Sequence, residues 1–207
     1  MKIEALLKRL VVGTIMALVA AELLLVLVSW FLSATMADDV RSLLSSEGIR
    51  WFFGNFVSIL STPWLIYLLL LAMAGGCLWQ SGISADLSVR AEARNYRQRI
   101  ALRATLIFFV LYVGIVLLLT TIPHAVLLSA TGHLLSSPFS RALVPIVAFG
   151  LLTVSVVYGR VSGRFTSIAD IVDSFSYGIG RAAPLFILYV FIIQFCESLR
   201  FVLVLLP

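Results

Sequence analysis

Five long apolar runs constrain this chain more than any other feature. They are Leu10 to Leu32, interrupted only by Glu22; Phe56 to Trp79; Ala104 to Ile122; Ala142 to Tyr158; and Ala182 to Leu206, which holds Glu197 and Arg200. A helix needs roughly 20 apolar residues to cross the hydrocarbon core of a bilayer. Five such runs in 207 residues leave little chain for anything else. Hydrophobic residues make up 61% of the chain and charged residues 12%, about half the charged share of an average soluble domain. A soluble globule cannot bury that much apolar surface. The expected fold class is therefore all-α, a polytopic integral membrane helix bundle whose partner is the lipid bilayer. A soluble enzyme, a disordered tail and a disulfide-stapled secreted domain are excluded.

The expected map is a single membrane domain over 1–207. It has transmembrane helices at 10–32, 56–79, 104–122, 142–158 and 182–206. An outer interfacial helix is expected at 40–53, broken near Gly48. A basic cytoplasmic linker covers 84–103, and a cytoplasmic amphipathic helix 167–177. Pro145 is placed in the first turn of its span, where a missing N–H costs little. Ser167 and Asp170 have the spacing of a capping box. Ile168, Ile171, Val172 and Phe175 follow with a helical period. The first run exceeds the usual apolar length of a cleavable signal peptide, so it reads as a span.

Net charge is +5, and its distribution sets the orientation. Lys2, Lys8 and Arg9 precede the first span. Arg90, Arg94, Arg97, Arg99 and Arg103 lie between the second and third, and Arg160, Arg164 and Arg181 between the fourth and fifth. Eleven of the fifteen Lys and Arg thus fall on one side, against Arg41, Arg50 and Arg141 on the other. The positive-inside rule places the N-terminus in the cytoplasm. The basic excess reads as cytoplasmic loops, not as a nucleic-acid surface.

No catalytic motif is present, and the chain is not read as an enzyme. Gly178-Ile179-Gly180 lacks the third glycine and the strand of a phosphate loop. His124 and His133 have no acidic or cysteine neighbour, so no metal site is expected. Cys77 and Cys196 lie inside apolar runs and form no disulfide framework. No cofactor is implied.

The charges inside the apolar runs carry more information. Glu22 lies near the middle of the first run. An ionised carboxylate there costs about 2.5–3.5 kcal/mol on insertion scales. It is expected to face other helices or a wet cavity, as a proton or ion relay or as a hydrogen-bonded structural carboxyl. By depth, its expected partners are Thr153, Ser155 or Tyr112. Glu197 and Arg200 are three apart and share one helix face. With Gln194 they form a polar stripe, either a binding surface for a charged solute or a pair snorkelling to the interface. Gly75-Gly76 reads as a close helix-packing position.

A set of short strings resembles a known family. Val40-Arg41-Ser42-Leu43-Leu44-Ser45-Ser46-Glu47-Gly48-Ile49-Arg50-Trp51 is similar to the outer segment between the first two spans of the AbgT family. These are p-aminobenzoyl-glutamate transporters, some of which export sulfonamide antimetabolites. Asn55-Phe56-Val57, Pro63 to Met73 and Gln80-Ser81-Gly82-Ile83 continue the likeness, with Gln80 where the family has Lys. Further on come Arg99 to Arg103, Leu134 to Phe139, Val144-Pro145-Ile146, Val157-Tyr158-Gly159, Asp170-Ile171-Val172, Ala183-Pro184-Leu185 and Gln194-Phe195, in the family's order.

The resemblance implies a transporter in the bacterial cytoplasmic (inner) membrane, a homodimer, and a small aromatic or acidic solute. In this sequence a 15-residue linker separates Ile83 from Arg99, where the family carries a re-entrant hairpin. The chain is therefore expected to be a short form lacking the hairpin regions. The alternative function is a non-transporting membrane scaffold or regulatory subunit that keeps the family's packing and oligomerisation helices. The transport candidates are Glu22, Gln194, Glu197 and Arg200.

Overall fold

The computed structural model describes residues 2–35, 40–88, 95–121 and 138–203. Among them every regular element is a helix: α1 (Lys2–Ala34), α2 (Ser46–Leu60), α3 (Pro63–Ser81), α4 (Ile83–Ser88), α5 (Tyr96–Thr121), α6 (Pro138–Ser162) and α7 (Ile168–Val202). Five are long and apolar enough to cross a membrane: α1 from Arg9, α3, α5, α6 from Ala142, and α7. The protein is an all-α, multi-pass membrane protein.

The chain forms two compact units. One comprises 1–66 and 183–207, the other 67–182.

In the first unit α1 presents one face to protein. Leu18, Val19, Glu22, Leu25 and Val26 are partly covered and Ser29 is buried, while Leu23, Leu24, Leu27 and Phe31 on the other face are 62–63% exposed. That division follows the helical period. The segment after α1 is tied down by backbone bonds, since an unpaired buried amide is costly. Arg41 N–H donates to the Val202 carbonyl at 3.1 Å, and Leu43 N–H to Ser29 Oγ at 3.3 Å. Leu43, Phe201 and Val202 form a small core, flanked by Leu25, Val26, Val40 and Trp51.

Helix α2 starts at Ser46 because Ser45 caps it, its hydroxyl accepting from Gly48 N–H at 3.0 Å. Such a cap contributes about 1 kcal/mol. The sequence reading broke the chain near Gly48 and resumed at 56. In the structure the helix runs through Gly48 to Leu60, and the break falls at Ser61-Thr62. Pro63 is the cause: it has no N–H to donate and disfavours helical geometry in the residue before it. Gly48 is there for closeness, since a Cβ would stand 2.5 Å from the Ser42 carbonyl oxygen. Tyr189 secures the break, donating to the Leu60 carbonyl at 3.2 Å and meeting the Thr62 hydroxyl.

In the second unit α5 packs along α6. Tyr112 donates to the Ile146 carbonyl at 2.6 Å, and its ring covers Gly150, where a Cβ would lie 2.8 Å from it. Helix α6 begins at Pro138, so Pro145 sits within the helix and not in its first turn. The span expected at 182–206 and the amphipathic helix at 167–177 are one helix of 35 residues. It starts where the sequence says: Asp170 N–H donates to Ser167 Oγ at 3.2 Å, and Asp170 Oδ2 accepts from Ser167 N–H at 2.9 Å. It does not stop at Gly178-Ile179-Gly180. Gly178 instead brings α7 against α3, for a Cβ there would meet the Ala72 carbonyl oxygen at 2.1 Å. The expected basic linker 84–103 is helical at both ends, in α4 and in the first turns of α5.

Candidate functional site

Two polar clusters stand out against the apolar helices, one in each unit. The first joins the middle of α1 to the C-terminal part of α7. Glu22 is partly covered, and its carboxyl meets the Ser198 hydroxyl. Gln194, 8% exposed, donates from Nε2 to Ser198 Oγ at 3.3 Å. Gln194 and Ser198 are one helical turn apart and so share a face. Two atoms of this cluster, Glu22 Oε2 and Gln194 Oε1, are buried without a hydrogen-bond partner. Glu22 therefore faces protein, as expected, but its partner comes from α7. The three partners expected by depth spend their hydroxyls elsewhere: Thr153 on Phe149, Ser155 on Leu151 and Tyr112 on Ile146.

The stripe expected from Gln194, Glu197 and Arg200 divides in two. Gln194 turns to Ser198, while Arg200 pairs with Glu197 at 3.0 Å. Glu197 lines a groove of about 280 Å³ with Trp51, Asn55, Ser58, Ile59 and Thr62 of α2 and its end. Those α2 positions recur at the helical period, so one face of the helix makes the wall. Trp51 is held by stacking on Phe201, centroids 4.5 Å apart. The Arg41 guanidinium lies over the same Phe201 ring at 5.8 Å. The wall thus combines an aromatic ring, an amide, hydroxyls and a carboxylate.

The second cluster was not foreseen. Asp86, on α4, is 6% exposed and Tyr158, on α6, is fully buried. Tyr158 donates to Asp86 Oδ2 at 2.5 Å, Gln98 Nε2 to Oδ1 at 3.1 Å, and the Arg164 guanidinium stands 3.7 Å from Oδ2. Gly82, at φ +73°, makes room for Arg164, whose Cζ would lie 2.2 Å from a Cβ there. A carboxylate with both oxygens engaged in this way fastens α4, α5 and α6 together. The one sequence signal was a single Asp in a stretch rich in Arg.

Cys77 is buried and Cys196 exposed, both as free thiols. His124 and His133 lie outside the described residues. Among the described residues no group of His, Cys, Asp and Glu could hold a metal ion.

Five helices long and apolar enough to cross a bilayer, carrying only a few polar groups, define a multi-pass membrane protein. Residues 78–202, more than half the chain, match the model of the AbgT putative transporter family. The chain belongs to that family, whose members are transporters. No curated protein and no solved structure matches it.

Proposed function

We propose that this protein carries a small aromatic, acidic solute of the p-aminobenzoyl-glutamate or antimetabolite class across the bacterial inner membrane. In this reading it works as a homodimer with its N-terminus in the cytoplasm. The observation that carries the reading is the groove beside Glu197. Trp51 offers a ring face for an aromatic group. Glu197 accepts from an arylamine N–H, and Asn55, Ser58 and Thr62 supply the remaining polar contacts. Arg200, held by Glu197, and Arg41 provide positive charge for a solute carboxylate. Family membership supports transport as the activity. The eleven-to-three bias in Lys and Arg supports the orientation.

Equilibrium binding of labelled p-aminobenzoyl-glutamate to the purified protein in nanodiscs tests the groove. Saturable binding that weakens about tenfold or more in Asn55→Leu and Glu197→Gln is the expected result, since each leaves a polar group of the solute unpaired. Saturable binding that is indifferent to both substitutions places the solute elsewhere. No binding at all favours the scaffold reading.

A further inference from the structure

The Glu22 cluster is short of positive charge. Glu22 Oε2 and Gln194 Oε1 are both acceptors, both buried, and both without a donor. Ser198 cannot serve both, because it has one proton and its oxygen already accepts from Gln194 Nε2. A buried acceptor without a partner costs about 1–3 kcal/mol, and an intramembrane carboxylate more. Neighbouring charges do not relieve it. On α7, Glu197 and Arg200 pair with each other at 3.0 Å. Arg41, on the segment leading into α2, approaches Glu47 in the first turn of that helix to 3.8 Å, and Arg50 on the same helix is exposed. Among the described residues no cationic side chain forms an ion pair with Glu22.

We propose that Glu22, Gln194 and Ser198 form a site for one small monovalent cation, a proton or a sodium ion, held between the α1 carboxylate and the α7 amide oxygen. The three oxygens are a carboxylate, an amide carbonyl and a hydroxyl. They are hard ligands suited to such an ion, and they include no nitrogen or sulfur that would select a transition metal. The cation joins α1 to α7 and supplies the charge that both orphan oxygens lack. The proposal adds a cation site to the transport reading, but binding at this site does not depend on that reading being right.

Infrared difference spectroscopy of the protein in nanodiscs tests it without any flux. One arm titrates pH in the absence of sodium. The other replaces N-methylglucamine by sodium at fixed pH. A carboxylic-acid C=O band that persists to about pH 6 or above, past the ordinary carboxyl range, and is missing in Glu22→Gln, identifies a proton. A sodium-dependent shift of a carboxylate band, missing in the same variant, identifies sodium. Gln194→Leu should weaken the apparent affinity for whichever ion binds by about tenfold or more, because one of the three oxygens is gone. It also serves as the test variant should Glu22→Gln fail to fold. If the Glu22 band titrates in the ordinary carboxyl range, near about pH 4, and no band shifts with sodium, the proposal is overturned. The Gln194 amide has then turned over to donate to Glu22, and the cluster is a closed internal network. Failure of solute binding in the groove would leave these bands unaffected, so the two readings fail separately.

Discussion

Gly178 and Gly180 lie two residues apart in the same helix, yet replacing each by alanine should move stability in opposite directions. A Cβ on Gly178 would stand 2.1 Å from the Ala72 carbonyl oxygen and 2.8 Å from Gly76 Cα. All of these are backbone atoms, which cannot swing aside as a side-chain tip can. The helices must part by about 1 Å, and overpacking of this kind costs about 1–3 kcal/mol. The upper end applies here, because the clash is with backbone. Alanine recovers about 1 kcal/mol of helix propensity, so the net loss is about 2 kcal/mol. At Gly180 nothing lies within 4 Å of the added carbon, and only the propensity gain remains.

Helix α3 repeats the pattern. Gly76→Ala meets Gly178 Cα at 2.4 Å, whereas Gly75→Ala meets nothing. For a chain of this size about 2 kcal/mol corresponds to roughly 4–8 °C in Tm. Cys77 provides the reporter: it is fully buried beside Gly76, so a thiol-reactive dye labels it only on unfolding. Cys196, which is exposed, is first replaced by Ser. Gly178→Ala and Gly76→Ala should melt early, and Gly180→Ala and Gly75→Ala at or slightly above the parent. Equal melting of all four would refute the close contact of α3 with α7.

Tyr158→Phe should destabilise by about 1–3 kcal/mol, because Asp86 keeps Gln98 and Arg164 but loses its shortest bond. The same dye assay checks it, and an unchanged Tm would mean the Asp86 cluster fastens nothing. A cysteine at the exposed position of Tyr96, in a background without Cys77 and Cys196, should react with membrane-impermeant maleimide only from the cytoplasmic face. Labelling of intact spheroplasts from outside would reverse the proposed orientation. Mass photometry in nanodiscs should find twice the chain mass, and monomers at every concentration would remove the homodimer.

Helix existence was plain in the sequence because apolar length is a bulk property. So was the start of α7, because the Ser167–Asp170 box is local chemistry. Helix ends were harder. The run from 56 to 79 looks uninterrupted on hydropathy, although Pro63 sets a break within it. The gap expected between 177 and 182 contains Gly178 and Gly180, yet α7 runs through it, since a glycine that admits a neighbour and one that ends a helix look the same in one dimension. Long-range partners were the least visible. Glu22 was rightly expected to face protein, but many hydroxyls share its depth, and only packing selects Ser198. Asp86 finds Tyr158 across 72 residues of sequence, a distance over which no local pattern operates. The likeness to AbgT transporters was carried by short strings kept in order, several of them within the matched residues 78–202.

Transport by this chain alone is the claim on which the account turns. Purified protein reconstituted into proteoliposomes should take up labelled p-aminobenzoyl-glutamate above empty liposomes, with saturation, and Glu197→Gln should lose most of that flux while still melting as the parent does. Uptake indistinguishable from empty liposomes, from protein shown by its melting curve to be folded, would contradict the account and leave a membrane scaffold in its place.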